Sequence, residues 1–184
     1  FLQRHPFFRI GPVIDEEAQA RLEKHASELA VAGRVIERLP LPDSCKHGTY
    51  VTPLVAEIGG IADLRDEHFG PILHVVRFAE STLDELVEQI NATGFGLTLG
   101  VHSRIETTWR RVQTATRVGN VYINRGMTGA VVGVQPFGGE GLSGTGPKAG
   151  GPHYLLRFVT ERTLTVNTSA VGGNARLLAQ SGDA

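Results

Sequence analysis

The sequence has little of what would fix its class outright. Cys45 is the single cysteine in 184 residues, so an internal disulfide is excluded and a reducing compartment, the cytoplasm, is expected. No apolar run is long enough to span a membrane. The opening FLQRHPFFRIG is not a secretory leader, because Arg and His break its short apolar part. Excess charge of one sign is missing too. Eighteen basic residues against nineteen acidic ones leave a net charge of −1, which offers no electrostatic footprint for direct contact with nucleic acid or a membrane surface. The seven histidines show no spacing with Cys, Asp or Glu that reads as a ligand set, so no metal is expected. The first residue is not Met, and the abrupt start reads as a piece of a longer polypeptide.

What is abundant is glycine, and much of it sits in one place. Residues 133–152, GVQPFGGEGLSGTGPKAGGP, hold eight glycines and three prolines. Glycine costs conformational entropy on folding and is kept where the chain takes unusual dihedrals or approaches another group closely. The stretch is therefore either a linker or a loop shaped around something.

The rest of the chain alternates. Asp15 is a plausible N-cap for a helix running to about Gly33, with Ala18, Leu22, Ala26 and Leu29 as its apolar stripe. Extended segments follow over residues 34–41 and 49–58, separated by the turn PDSCKHG. Residues 72–78, ILHVVRF, read as a buried strand. Ser81 and Asp84 form an S-x-x-D capping box for a second helix carrying Leu83, Leu86, Val87 and Ile90. A short strand over 97–102, a third helix over 106–116 and a strand over 118–124 lead into the glycine-rich stretch. Residues 162–167 then alternate like a strand before the tail. This order predicts an α/β layer with a mostly parallel sheet, right-handed crossovers and flanking helices. In such a layer the glycine-rich segment follows a strand, where open α/β sheets carry their sites. That argues for an ordered loop.

Three motifs need weighing. Residues 139–144 match G-x-G-x-x-G literally, but Gln135-Pro136-Phe137 separates them from the strand and Gly146-Pro147 interrupts any helix start. The match is a coincidence of glycine density, not a dinucleotide fingerprint. Cys45 lies beside Lys46 and His47 in a polar turn. A sequence neighbour is not a base in space, so it reads as a surface cysteine. Glu67 and Phe69, in RDEHFGP just before a strand, allow two readings. One is a turn with a packed Phe. The other is a nucleotide contact, in which a carboxylate accepts both ribose hydroxyls and an aromatic packs a flat heterocycle.

EHFGPILHVVRF closely resembles the EIFGPV segment of the aldehyde dehydrogenase superfamily, and QPFGGEGLSGTG resembles its PFGG…SG-x-G signature. The spacing between them, with GFGLTLGVHS and GNVYIN, matches as well, and the likeness runs from about Gly11 onward. Within the superfamily, GAVVGVQPFGGEGLSGTGPKAGGP and TERTLTVNTSAVGGNA look most like the Δ1-pyrroline-5-carboxylate dehydrogenases, in particular those forming the C-terminal part of a bifunctional proline-utilising enzyme.

The resemblance implies an NAD-dependent oxidation of glutamate semialdehyde to glutamate by a cysteine nucleophile. Glu67 would hold the nicotinamide ribose with Phe69 beside it. Gly129 and Ala130 would give backbone N–H groups to the substrate's distal carboxylate, an anion-binding concavity a glycine-containing turn can form without a cation. Phe137 would wall the aliphatic part. The family's nucleophile, glutamate base and dinucleotide-binding domain lie upstream of the matched residues. No catalytic residue is therefore assigned here, and the chain alone is expected to be inactive. Residues 1–167 would be a partial catalytic domain and residues 168–184 a tail, a candidate assembly segment of a homo-oligomer. The bifunctional form implies upstream domains in the same polypeptide, with FAD in a separate proline dehydrogenase domain. The rival readings are another semialdehyde dehydrogenase and a non-catalytic structural or assembly module of the same fold.

Overall fold

The structure, a computed structural model, describes residues 10–127, 131, 133–144 and 146–167. Helix α1 (Glu16–Val31) begins where the sequence indicates: Asp15 is extended and its Oδ1 accepts the Ala18 N–H at 2.7 Å, satisfying one of the helix's unpaired donors. The helix stops at Gly33, whose φ of +67° is a left-handed conformation that a side chain would strain. The Arg34 N–H then turns back to the Leu29 carbonyl at 3.0 Å.

Strands β1 (Val35–Arg38), β2 (Leu54–Glu57) and β3 (Ile72–Val75) form a sheet with β2 in the centre, antiparallel to β1 and parallel to β3. Along β2, Leu54 and Ala56 are buried while Val55 and Glu57 are half-buried, the period-two alternation of a sheet with one covered face. Leu22, Ala26 and Leu29 of α1 pack with Leu54, Ala56 and Ile72 into one core. Residues 72–78 are not the fully buried strand expected. The ladder ends at Val75 and Leu73 is exposed, because among the described residues β3 is paired only on its β2 side.

Helix α2 (Leu83–Ala92) is followed by β4 (Phe95–Gly96), β5 (Thr98–Val101), α3 (Glu106–Ala115), β6 (Asn120–Ile123) and β7 (Glu140–Gly141). The capping box over Ser81 and Asp84 is not formed. Residues 80–82 make a 3₁₀ turn running into the helix, Thr82 takes the cap position without a side-chain bond, and its Oγ1 donates to the Ala79 carbonyl at 2.9 Å. Asp84 is drawn away instead into an ion pair with Arg111 of α3. At the other end of α2, the Asn91 side chain donates to the Ala115 carbonyl at 2.9 Å and accepts the Arg117 N–H at 2.8 Å.

Strands β5 and β6 pair in parallel from Thr98 opposite Asn120 to Val101 opposite Ile123, with α3 as the crossover. The α/β class and the parallel pairings hold, but among the described residues the strands form three separate sheets rather than one layer. Residues 162–167 are exposed and lie outside any strand. Alternation alone makes no ladder where no neighbouring strand accepts it. Residues 168–184 lie outside the described residues.

Asn124 closes the β5–β6 pair. It adopts a φ of +54°, and its side chain accepts the Ser103 N–H and donates to the Ser103 carbonyl, each at 2.9 Å. Asn124→Ala should cost about 1–2 kcal/mol, from the left-handed backbone and the lost hydrogen bonds. Asn124→Gly should recover the dihedral part, as thermal midpoints of the two variants would show. Equal losses would mean that the dihedral carries no cost.

Candidate functional site

The loop of residues 65–71 joins β2 to β3 and brings two of the expected residues onto one surface. Glu67 and Phe69 both line a cleft of about 1290 Å³ whose opposite wall is α1. Phe69 is 83% exposed, so its ring packs no core. Among the described residues the Glu67 carboxylate makes no hydrogen bond or ion pair, although basic side chains lie nearby in the cleft wall. Lys24 is near Glu28 at 3.9 Å and Arg21 bonds Glu17 at 2.7 Å. A carboxylate with no partner among the described residues, beside an exposed ring, has the chemistry to meet a ribose and a flat heterocycle.

The glycine-rich stretch is built as a loop held by hydrogen bonds. Phe137 and Ala149 exchange backbone bonds at 3.0 and 2.9 Å. The side chain of Asn120, on β6, donates to the Pro136 carbonyl at 3.0 Å and accepts the Gly138 N–H at 3.1 Å. Lys148 Nζ donates to the carbonyls of Gly119 and Gly138 and to Asn120 Oδ1. One ammonium thus gathers the start of β6 and both arms of the loop. Gly119 fits because it has no side chain: a Cβ there would meet the Gly138 carbonyl and the Gly139 backbone. Neither Asn120 nor Lys148 was marked by local pattern, since their partners lie up to 29 residues away in sequence.

Phe137 is half-buried in this loop and does not line the cleft that holds Glu67 and Phe69. Gly129 and Ala130 lie outside the described residues. The G-x-G-x-x-G match opens no helix. Glu140-Gly141 pairs with Phe95-Gly96 as β7 against β4, and Ser143 Oγ accepts the Gly96 N–H at 3.1 Å. Cys45 ends a 3₁₀ turn, Asp43–Cys45, with Ser44 Oγ 4.0 Å from its sulfur, and is absent from the cleft lining. Among the described residues no group of three or more His, Cys, Asp or Glu is arranged to hold a metal ion, and no helix is long and apolar enough to cross a membrane.

An α/β piece with a glutamate and an exposed aromatic before one strand and a lysine-pinned glycine loop after another defines a class. The sequence model of the aldehyde dehydrogenase family matches residues 3–164, and the chain belongs to that family. More particularly, it is 54% identical over 158 residues to the bifunctional protein PutA of Klebsiella aerogenes, covering 83% of this chain and 12% of that one. It is 38% identical to the 1-pyrroline-5-carboxylate dehydrogenase of Geobacillus thermodenitrificans, covering 85% of this chain and 30% of the relative. A crystal structure of Bradyrhizobium japonicum proline utilization A superposes with a TM-score of 0.79 at 52% identity, over 87% of this chain and 16% of the other. The chain therefore spans a minor part of each relative.

Proposed function

We propose that the chain is the C-terminal part of the catalytic domain of an NAD-dependent Δ1-pyrroline-5-carboxylate dehydrogenase, which oxidises glutamate γ-semialdehyde to glutamate. The observation that carries this reading is that the Glu67 carboxylate, without a partner among the described residues, and the exposed Phe69 ring line one cleft. The similarity to PutA and to 1-pyrroline-5-carboxylate dehydrogenase supports the substrate.

When bound, NAD⁺ supplies a hydride acceptor. Glu67 would accept the two hydroxyls of the nicotinamide ribose, and Phe69 would lie beside it. Gly129 and Ala130 would give backbone N–H groups to the distal carboxylate, and Phe137 would wall the aliphatic chain. The loop that carries Phe137 owes its position to Asn120 and Lys148. Residues 1–167 belong to the catalytic domain and residues 168–184 to an assembly segment of a cytoplasmic homo-oligomer. In the bifunctional arrangement, upstream domains of the same polypeptide include the proline dehydrogenase unit that carries FAD. No residue of this chain is assigned to FAD.

The reading is tested in an intact enzyme carrying this chain. Glutamate semialdehyde should be preferred over a plain alkyl aldehyde of equal length, and equal kcat/KM values would move the assignment to another family member. Glu67→Gln keeps the size but removes the charge from the acceptor. NAD⁺ affinity should fall about ten-fold, or about 1.4 kcal/mol, with the fold intact. Unchanged affinity and unchanged hydride transfer would end the ribose role.

A further inference from the structure

Three histidines converge from three elements onto the loop that carries Glu67 and Phe69. His25 comes from α1, His68 from the loop itself and His74 from β3. The His25 and His68 rings stack with centroids 3.5 Å apart and planes 8° from parallel. His25 Nε2 and His74 Nε2 are 2.8 Å apart, a hydrogen bond, and the His68 and His74 centroids are 5.8 Å apart. All three rings are half-buried. His68 stands between Glu67 and Phe69 in the chain, so a shift of its ring moves both.

We propose that His25 positions the cofactor-contacting loop by stacking on His68 while hydrogen-bonded to His74, and that this holds NAD⁺ affinity only while the rings are largely uncharged. The inference rests on the cofactor roles of Glu67 and Phe69 given above. The proton bookkeeping is simple. A bond between two Nε2 atoms needs one donor and one bare acceptor, so it cannot survive protonation of both rings. Two imidazolium rings stacked face to face repel each other as well.

The surroundings point the same way. Burial lowers the His25 pKa below its ordinary 6.5, the charge of His68 lowers it further, and Glu28 opposes the shift. Burial lowers the His74 pKa too, followed by His25 and then His68. Both shifts favour the neutral rings in the folded loop. The arrangement is therefore complete above pH 6.5 and is lost as pH falls below 6.5 toward the depressed values. The other charged groups on this cleft are Arg21, Lys24 and Glu28 on α1 and Asp66 and Glu67 on the loop.

The test measures NAD⁺ dissociation constants for the intact enzyme between about pH 5 and 8, together with amide exchange across residues 65–71 without cofactor, corrected for its intrinsic pH dependence. The parent should lose about ten-fold in affinity on acidification, and the loop amides should exchange faster over the same range. His25→Ala and His68→Ala should show both changes already at pH 8. His68→Phe restores a flat ring for His25 to stack on, so it should recover the affinity lost in His68→Ala while keeping the acid dependence of the His25–His74 bond, whereas His25→Ala removes that bond and should flatten the profile. No recovery in His68→Phe, a steep profile retained in His25→Ala, or unchanged loop exchange in His25→Ala would overturn the proposal. Glu67→Gln separates the two readings. It should weaken NAD⁺ at every pH yet leave the acid-induced loop exchange in place. If it leaves affinity unchanged while the exchange still follows the histidines, the ribose assignment has failed and the loop device has not.

Discussion

Gly119→Ala, in an intact enzyme carrying this chain, should lower kcat/KM for the aldehyde about a hundred-fold, the scale expected when a substrate-contacting element is displaced by about an ångström. Stability should fall by about 1–3 kcal/mol, as for other overpacked sites. The new Cβ would point at the Gly138 carbonyl and the Gly139 backbone. Neither can yield cheaply. The Gly138 carbonyl is held by Lys148 Nζ at 2.9 Å and its N–H by Asn120 at 3.1 Å, while Gly119 itself is tied to the Gly96 carbonyl at 3.0 Å. The strain must therefore be relieved by lifting the loop, and Phe137 goes with it. Gly126→Ala is the matched control, because a Cβ there meets nothing within 4 Å among the described residues. A Gly119→Ala enzyme within about two-fold of the parent would show that the loop's seat on β6 does not govern turnover.

The chain expressed by itself should form no NADH from glutamate semialdehyde and NAD⁺. The proposed chemistry needs a thiolate within bonding reach of the aldehyde carbon and a base or water path to release the acyl group. Cys45 is the only sulfur nucleophile in the sequence. It lies in the Asp43–Cys45 turn, outside the cleft of Glu67 and Phe69, with the Ser44 hydroxyl 4.0 Å from its sulfur. Leu155, Phe158 and Leu164 stand exposed on the same molecule, so the isolated chain should also self-associate, which light scattering would register. NADH production abolished by Cys45→Ala would reverse this conclusion and make Cys45 the nucleophile. Production that survived Cys45→Ala would point to a contaminating enzyme.

Legibility in the sequence followed the range of the forces involved. Helix α1 was readable because its cap, stripe and stop lie within about twenty residues and reinforce one another. The third helix and the strands around it were readable for the same reason. The capping box at Ser81 failed because Asp84 had a stronger partner in Arg111, 27 residues away. The strand expected over 162–167 failed because alternation describes a surface, and only a neighbouring strand makes it a ladder. At the site, Glu67 and Phe69 share one short loop and could be seen together. Lys148 and the His25–His68–His74 group could not, because their geometry arises only when distant segments are folded onto each other. The histidines carry no metal-ligand spacing, and spacing along the chain is silent about ring stacking.

The two contacts between α2 and α3 differ in kind, and that difference sets how the pair can move. The Asn91 contact is a neutral amide threaded into backbone groups at the C-terminal end of α3, whereas Asp84 and Arg111 meet as exposed charges. Salt weakens only the second of these. Raising the ionic strength should therefore loosen the attachment at Asp84 and Arg111 while leaving the Asn91 hydrogen bonds in place.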